Sequence, residues 1–194
     1  MRSLHWRQRY RAMEKALPHS PAQAVVFLGD SLTEQFDLDY FFKMPRLVNH
    51  GVSGDHIDGA RERLHLSKKT GAQQLWLMIG INDLFDGRDD AWMFSEYQCL
   101  LEGLDFCPRV MVQSLLPTGP SWQKLAGGRV PEMNRFLEKE SRRRSFSYID
   151  LHTPFRQAIA DGENLFQDDD IHLNDRAYTL WSSLIRDSIY RPGS

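Results

Sequence analysis

The 194-residue chain is 41% hydrophobic and 26% charged, with a formal net charge of −2. That length and balance point to one globular domain spanning 1–194 with a sizeable core, and they argue against broad nucleic-acid binding. No window approaches the roughly 20 apolar residues of a membrane span, and the opening MRSLHWRQRYRAMEKAL lacks the continuous apolar segment of a signal peptide.

Trp6, Tyr10, Met13 and Leu17 recur at helical spacing, so the chain opens on an amphipathic helix that Pro18 and Pro21 end. Five short apolar runs come next: AVVFL (24–28), RLVN (46–49), LWLMI (75–79), RVMVQSLL (109–116) and FSYIDL (146–151). Most are almost continuously apolar, the pattern of strands buried on both faces of a parallel sheet. Helical stripes separate them. Ile57, Ala60 and Leu64 lie behind Asp55 as an N-cap; Tyr97, Leu100, Leu101 and Leu104 form a second stripe; Val130, Met133 and Leu137 form a third. The last and clearest places Ala177, Leu180, Trp181, Leu184, Ile185 and Ile189 on one side, with Asn174 as the cap. Strands alternating with helices predict βαβ units and an α/β domain with helices on both faces of the sheet. Residues 117–128, PTGPSWQKLAGG, form a long loop of the kind that is often functional.

The basic runs Arg7, Arg9, Arg11 and Arg142, Arg143, Arg144 read as solvated faces, the second closing a helix whose negative end favours cations. Cys99 and Cys107 are too few and too isolated for a zinc site or a disulfide framework. The expectation is a cytoplasmic protein with reduced thiols.

The residues with chemical potential gather at the strand ends. After the first strand comes Gly29-Asp30-Ser31-Leu32; after the second, NHGVSGD with Gly51, Gly54 and Asp55; after the third, GINDLFDG with Gly80, Asn82 and Asp83. Near the C-terminus stands QDDDIHLND, in which Asp169 precedes His172 by three residues. In an open parallel sheet, polar groups at the carboxyl ends of neighbouring strands converge. Ester cleavage by a serine needs a hydroxyl, an imidazole oriented by a carboxylate, and donors aimed at the oxyanion. Ser31 can supply the first and His172, held by Asp169, the second. The backbone N–H groups of Ser31 and Gly54 and the side-chain amide of Asn82 can supply the third.

These blocks resemble the SGNH, or GDSL-type, hydrolase family: GDSL at 29–32, the glycine of SGD at Gly54, the asparagine of GxND at Asn82 and DxxH at 169–172. LLPTG (115–119) and DLHTPF (150–155) are similar to its weaker connecting patterns. The resemblance implies a three-layer α/β/α sandwich, flavodoxin-like, with a parallel five-stranded sheet in the order 2-1-3-4-5. It implies a triad of Ser31, His172 and Asp169 and an oxyanion hole from Ser31, Gly54 and Asn82. It also implies hydrolysis of small-molecule acyl esters or thioesters (lipids, acetylated sugars and acyl-CoA among them) without a cofactor or metal. Gln35, where glycine is frequent, and Ile81, in place of the usual threonine, bear on the substrate. Adjacency to the blocks nominates Leu32, Val52, Leu84, Phe85, Leu116, Trp122 and Ile171 as pocket walls.

Each residue also has a plainer reading. Ser31 or Thr33 could cap the next helix, Gly54 could open a helix capped by Asp55, and Asn82 could form a turn. Asp168, Asp169, Asp170 and His172 could bind magnesium or calcium, although the loop lacks the alternation of an EF-hand. LGDSLTEQF contains neither phosphate-binding glycine motif, and the GxSxG elbow is absent. A non-catalytic ligand-binding module on the same fold is the remaining alternative. Asp30 and Asp83 read as structural hydrogen-bond acceptors close enough to tune the site, and His50 and His56 as candidates to line it. His5, His19, His65 and His152 read as structural or exposed.

Overall fold

The computed structural model describes residues 2–190. Five parallel strands form the centre: β1 (Val25–Gly29), β2 (Leu47–Gly51), β3 (Gln74–Met78), β4 (Arg109–Gln113) and β5 (Ser147–Ile149), hydrogen-bonded in the order β2-β1-β3-β4-β5. β1 and β3 are buried along their whole length, as their continuous apolar sequences require, whereas the edge strands β2 and β5 are partly exposed. Gly29 pairs with Gly51 on one side and Met78 on the other, so the ends of β1, β2 and β3 lie level.

β1 connects to β2 on one side of the sheet, and every later connection runs the other way. Right-handed crossovers therefore put the intervening helices on opposite faces. Accordingly α3 (Leu38–Phe42) packs with the C-terminal helix α10 (Asp175–Tyr190). On the other face α4 (Ile57–Glu62) packs with α7 (Asp90–Glu102), which packs with α8 (Val130–Arg143). The reversal between β1 and β3 opens a crevice at their carboxyl ends. Phe27 and Trp76 stack at 5.6 Å in the core beneath it. The N-terminal helix α1 (Leu4–Ala16) buries Trp6 and Met13 against Val52 and Leu66, a small core of its own beside the second loop.

Three local expectations are corrected. Asp55 does not cap α4; His56 precedes that helix, with no side-chain cap bond, and the Asp55 carboxylate binds Trp6 and Arg63 instead. The stripe through Leu64 is not one helix: the chain breaks at Arg63, whose guanidinium is wholly buried, and resumes as α5 (Leu64–Lys69). Leu184 is 37% exposed and does not share the buried face of α10, although Asn174 does cap it by accepting from Ala177 N.

Candidate active site

β1 ends in Gly29, which must be glycine because a Cβ there would meet Thr33 Oγ1 at 2.1 Å and the Met78 carbonyl at 2.3 Å. The chain then turns into the one-turn helix α2 (Ser31–Glu34). Its cap is Asp30, whose Oδ1 accepts from Leu32 N at 3.0 Å, so neither Ser31 nor Thr33 plays that part. Ser31 is the first helical residue, a position whose N–H has no intrahelical acceptor. Its side chain sits 5% exposed at the strand end.

The loop after β2 is folded over α2. Asn49 Nδ2 donates to the Thr33 carbonyl at 2.7 Å, and Ser53 donates through both N and Oγ to Glu34 Oε2. Arg9 and His5 of α1 reach the same Glu34 carboxylate. At the turn stands Gly54 with φ +71°, a left-handed conformation that suits glycine, and nothing lies within 4 Å of where its Cβ would be. Among the described residues no backbone hydrogen bond uses its N–H. Behind this turn the Arg63 guanidinium donates to Asp55 Oδ2 (2.8 Å), the His50 carbonyl (2.5 Å) and the Gly29 carbonyl (2.8 Å). One buried cation thus ties the ends of β1 and β2 to the Gly54 loop.

After β3, Gly80 at φ +120° opens α6 (Ile81–Phe85). Asn82 Nδ2 donates to the Asp55 carbonyl at 2.8 Å, which leaves its second N–H to point elsewhere. Asp83 is fully buried, and its Oδ2 accepts from Ile57 N at 3.2 Å.

Residues 164–174 form the last part. Phe166 and Leu173 make an antiparallel bridge, Gln167 N donates to the His172 carbonyl, and the tip carries Asp168, Asp169 and Asp170. Asp169 Oδ1 accepts from the backbone N–H groups of Ile171 and His172, at 3.0 and 2.9 Å. Its Oδ2 bonds His172 Nδ1 at 2.5 Å. Although what burial it has pushes the Asp169 carboxyl upward, these hydrogen bonds hold it down at about 2. The hairpin is fastened to Ser31's helix through α10, because Tyr178 OH donates to the Leu32 carbonyl at 2.9 Å. The His172 ring is near enough to lower the pKa of Asp30, which precedes Ser31.

The long loop is a clamp on that hairpin. Gly119 N donates to the Asp170 carbonyl, Ser121 donates to Asp170 Oδ2, and Trp122 Nε1 donates to the Asp169 carbonyl at 3.0 Å. The Trp122 ring lies 4.5 Å from that of Phe85. Phe85, Trp122 and Ile171 keep exposed surface near the site, whereas Val52 and Leu84 have none, and Leu32 and Leu116 almost none. Side chains next to a motif in sequence can point away from it into the core. His50 is likewise buried, bonded to Ser67 Oγ, and burial together with Arg63 pushes its pKa down to about 3. His56 lines a pocket of about 640 Å³ beside Gly54, with Arg2, Trp6, Asp58, Glu62 and Arg88. Among the described residues no group of three or more His, Cys, Asp or Glu side chains is placed to hold a metal ion. No described helix is long and apolar enough to cross a membrane.

Sequence reasoning missed Arg63, the Glu34–Ser53 tie and the contribution of α1. Gly59, where a Cβ would meet Asp55 Oδ1 at 1.8 Å, is the one local hint.

The profile of the GDSL-like lipase/acylhydrolase family matches residues 27–180, from within β1 to within α10. The chain belongs to that family. Its general reaction is therefore ester hydrolysis. No curated relative matches in sequence. Among solved structures, a member of the lipolytic protein G-D-S-L family from Veillonella parvula superposes with a TM-score of 0.76 at 21% identity, covering 88% of this chain and 100% of that one. A GDSL-like lipase from Bacteroides thetaiotaomicron gives 0.78 at 17% identity, covering 93% and 96%. An acetylxylan esterase from Geobacillus stearothermophilus gives 0.71 at 15%, covering 89% and 96%. At such identities the likeness is one of fold.

Proposed function

We propose that the protein is a serine esterase in which Ser31, His172 and Asp169 form the catalytic triad. The observation that carries this is the His172 Nδ1–Asp169 bond on a hairpin tied, through Tyr178, to the helix that begins with Ser31. Asp169 fixes the tautomer and leaves Nε2 to take the Ser31 proton as the hydroxyl attacks the ester carbonyl. The same nitrogen then protonates the departing alcohol. Water, deprotonated by His172 in turn, releases the acid from the acyl-enzyme.

The negative oxygen of each tetrahedral intermediate is met by the N–H groups of Ser31 and Gly54 and the free N–H of Asn82. Asn82→Ala should lower kcat by roughly 10²–10³ with a smaller change in KM, since that donor acts on charge developing in the transition state. Steady-state kinetics on p-nitrophenyl acetate reads this, and a defect confined to KM would remove Asn82 from the oxyanion hole.

The pocket beside Gly54 carries the charged side chains of Arg2, Asp58, Glu62 and Arg88 on its wall and borders the oxyanion turn rather than Ser31 or His172, so we assign it to a hydrophilic part of the substrate and pair it with a short acyl group. A fluorophosphonate probe followed by peptide mapping should label Ser31, and turnover of p-nitrophenyl esters should fall from acetyl to octanoyl. Ligand binding without labelling would favour the non-catalytic module, and a preference for octanoyl would give the site to lipid esters or thioesters.

A further inference from the structure

We propose that Asp83, acting as an uncharged carboxylic acid, is a positioning residue that clamps the oxyanion turn from below, and that its ionisation slows the reaction at alkaline pH. The clamp is visible in two adjacent hydrogen bonds. Asn82 donates to the Asp55 carbonyl and Asp83 accepts from Ile57 N, so consecutive residues of α6 grip both sides of the segment after Gly54. The proposal rests on the esterase reading, because the turn matters to rate only if Gly54 and Asn82 face the oxyanion.

The charge state is set by the surroundings. Asp83 Oδ1 is buried and has no hydrogen-bond partner among the described residues. A bare carboxylate oxygen in that position is far costlier than a neutral acid. The buried cation within reach of this group of acids is Arg63, and it is engaged by Asp55 and by the carbonyls of Gly29 and His50. Facing Asp83 from α4 are His56, itself bonded to Asp86, the Ile57 N–H and Asp58. From α7 comes Tyr97, whose hydroxyl donates to the Ile79 carbonyl, and at the end of β1 lies Asp30, also buried, with Arg63 and His172 as its cationic neighbours. Burial pushes Asp83 up to about 7, against the pull of His56 and the Ile57 N–H, and Asp58 adds to the rise. Asp30 is raised to about 7 as well, by burial and then by Asp55 and Asp83, against its Leu32 bond and the nearby His172.

A raised carboxyl pKa keeps the proton on below that value and releases it above. The charge then appears directly behind Asn82, where it repels a developing oxyanion. Wild-type kcat should therefore rise as His172 loses its proton and fall again above neutrality, to roughly a tenth of its maximum by pH 9. Asp83→Asn keeps an acceptor for Ile57 N and cannot ionise, so its kcat should stay within about twofold of its own maximum up to pH 9. Asp83→Ala, without the acceptor, should lose roughly tenfold in kcat with KM little changed, and asparagine restores it.

The ¹⁵N–¹H shift of Ile57 supplies a readout that needs no turnover. It should titrate with a midpoint between about pH 6 and 8 in the wild type and stay level in Asp83→Asn. A wild-type amide that does not titrate, or an alkaline fall that persists in Asp83→Asn and vanishes only in Asp30→Asn, would overturn the proposal. Absence of ester hydrolysis at every pH would sink the esterase reading and the effect on rate, and an Ile57 titration would then establish only the clamp.

Discussion

Ser31→Ala should leave a folded protein that turns over p-nitrophenyl acetate at least ~10⁴-fold more slowly than the wild type. The size of the loss comes from the kind of step removed. Without Oγ no acyl-enzyme forms, and the oxyanion donors and His172 are left to assist direct attack by water, which conserves only part of the acceleration. The fold should hardly notice. Ser31 does not cap its helix, since Asp30 does, and no hydrogen bond among the described residues depends on its hydroxyl. Thermal unfolding should therefore stay within about 2 °C of the wild type. Turnover above one-hundredth of the wild-type rate in the purified, folded variant would exclude Ser31 as the nucleophile, and a collapsed Tm would show that the loss was one of structure.

The parts of this architecture that can be read from sequence are those whose cause is local. β1 and β3 announce themselves because a strand covered on both faces has nowhere to put a polar side chain. The reactive blocks are legible because Ser31, Gly54, Asn82 and the Asp169–His172 pair each come after a strand or before a helix at short, chemically meaningful spacing. The hidden parts depend on contacts between polar residues far apart in the chain. Asp55 looks like a helix cap, but its partners are Trp6, 49 residues away, and Arg63. Ser53, in the turn after β2, is bound to Glu34, 19 residues earlier. Only adjacency makes Val52 and Leu84 candidates for pocket walls, and adjacency carries no information on side-chain direction; both face cores. The helix α9 (His152–Ala160) buries only Phe155 fully, so it leaves no periodic stripe to recognise.

A triad and a metal site make different demands on the aspartate tip, whose three acidic residues have different partners. Asp169 bonds His172 Nδ1 and two backbone N–H groups. Asp170, at φ +61°, accepts from Ser121 and so anchors the long loop, while Asp168 is exposed. Asp169→Asn keeps a polar atom beside the imidazole but offers it an N–H, which favours the tautomer with the proton on Nε2. That nitrogen can no longer accept from Ser31, and kcat should fall by roughly 10³–10⁴. Asp170→Asn retains an acceptor for Ser121 and should lose only a few-fold, through a looser clamp on the hairpin. Asp168→Asn should stay within about twofold, as expected of an exposed side chain with no partner in the site. The acid limb of the pH profile should also move. In the wild type kcat/KM climbs with pH because only the neutral imidazole can take the Ser31 proton, and the Asp169 carboxylate, held at about 2 by its hydrogen bonds, stays ionised throughout. Without the carboxylate the climb should shift to lower pH while its plateau drops. Kinetics of the three variants from pH 5 to 9, with and without EDTA, measure all of this. Comparable losses at Asp168, Asp169 and Asp170, or inactivation by the chelator, would assign the tip to a metal ion and leave His172 without its proposed partner.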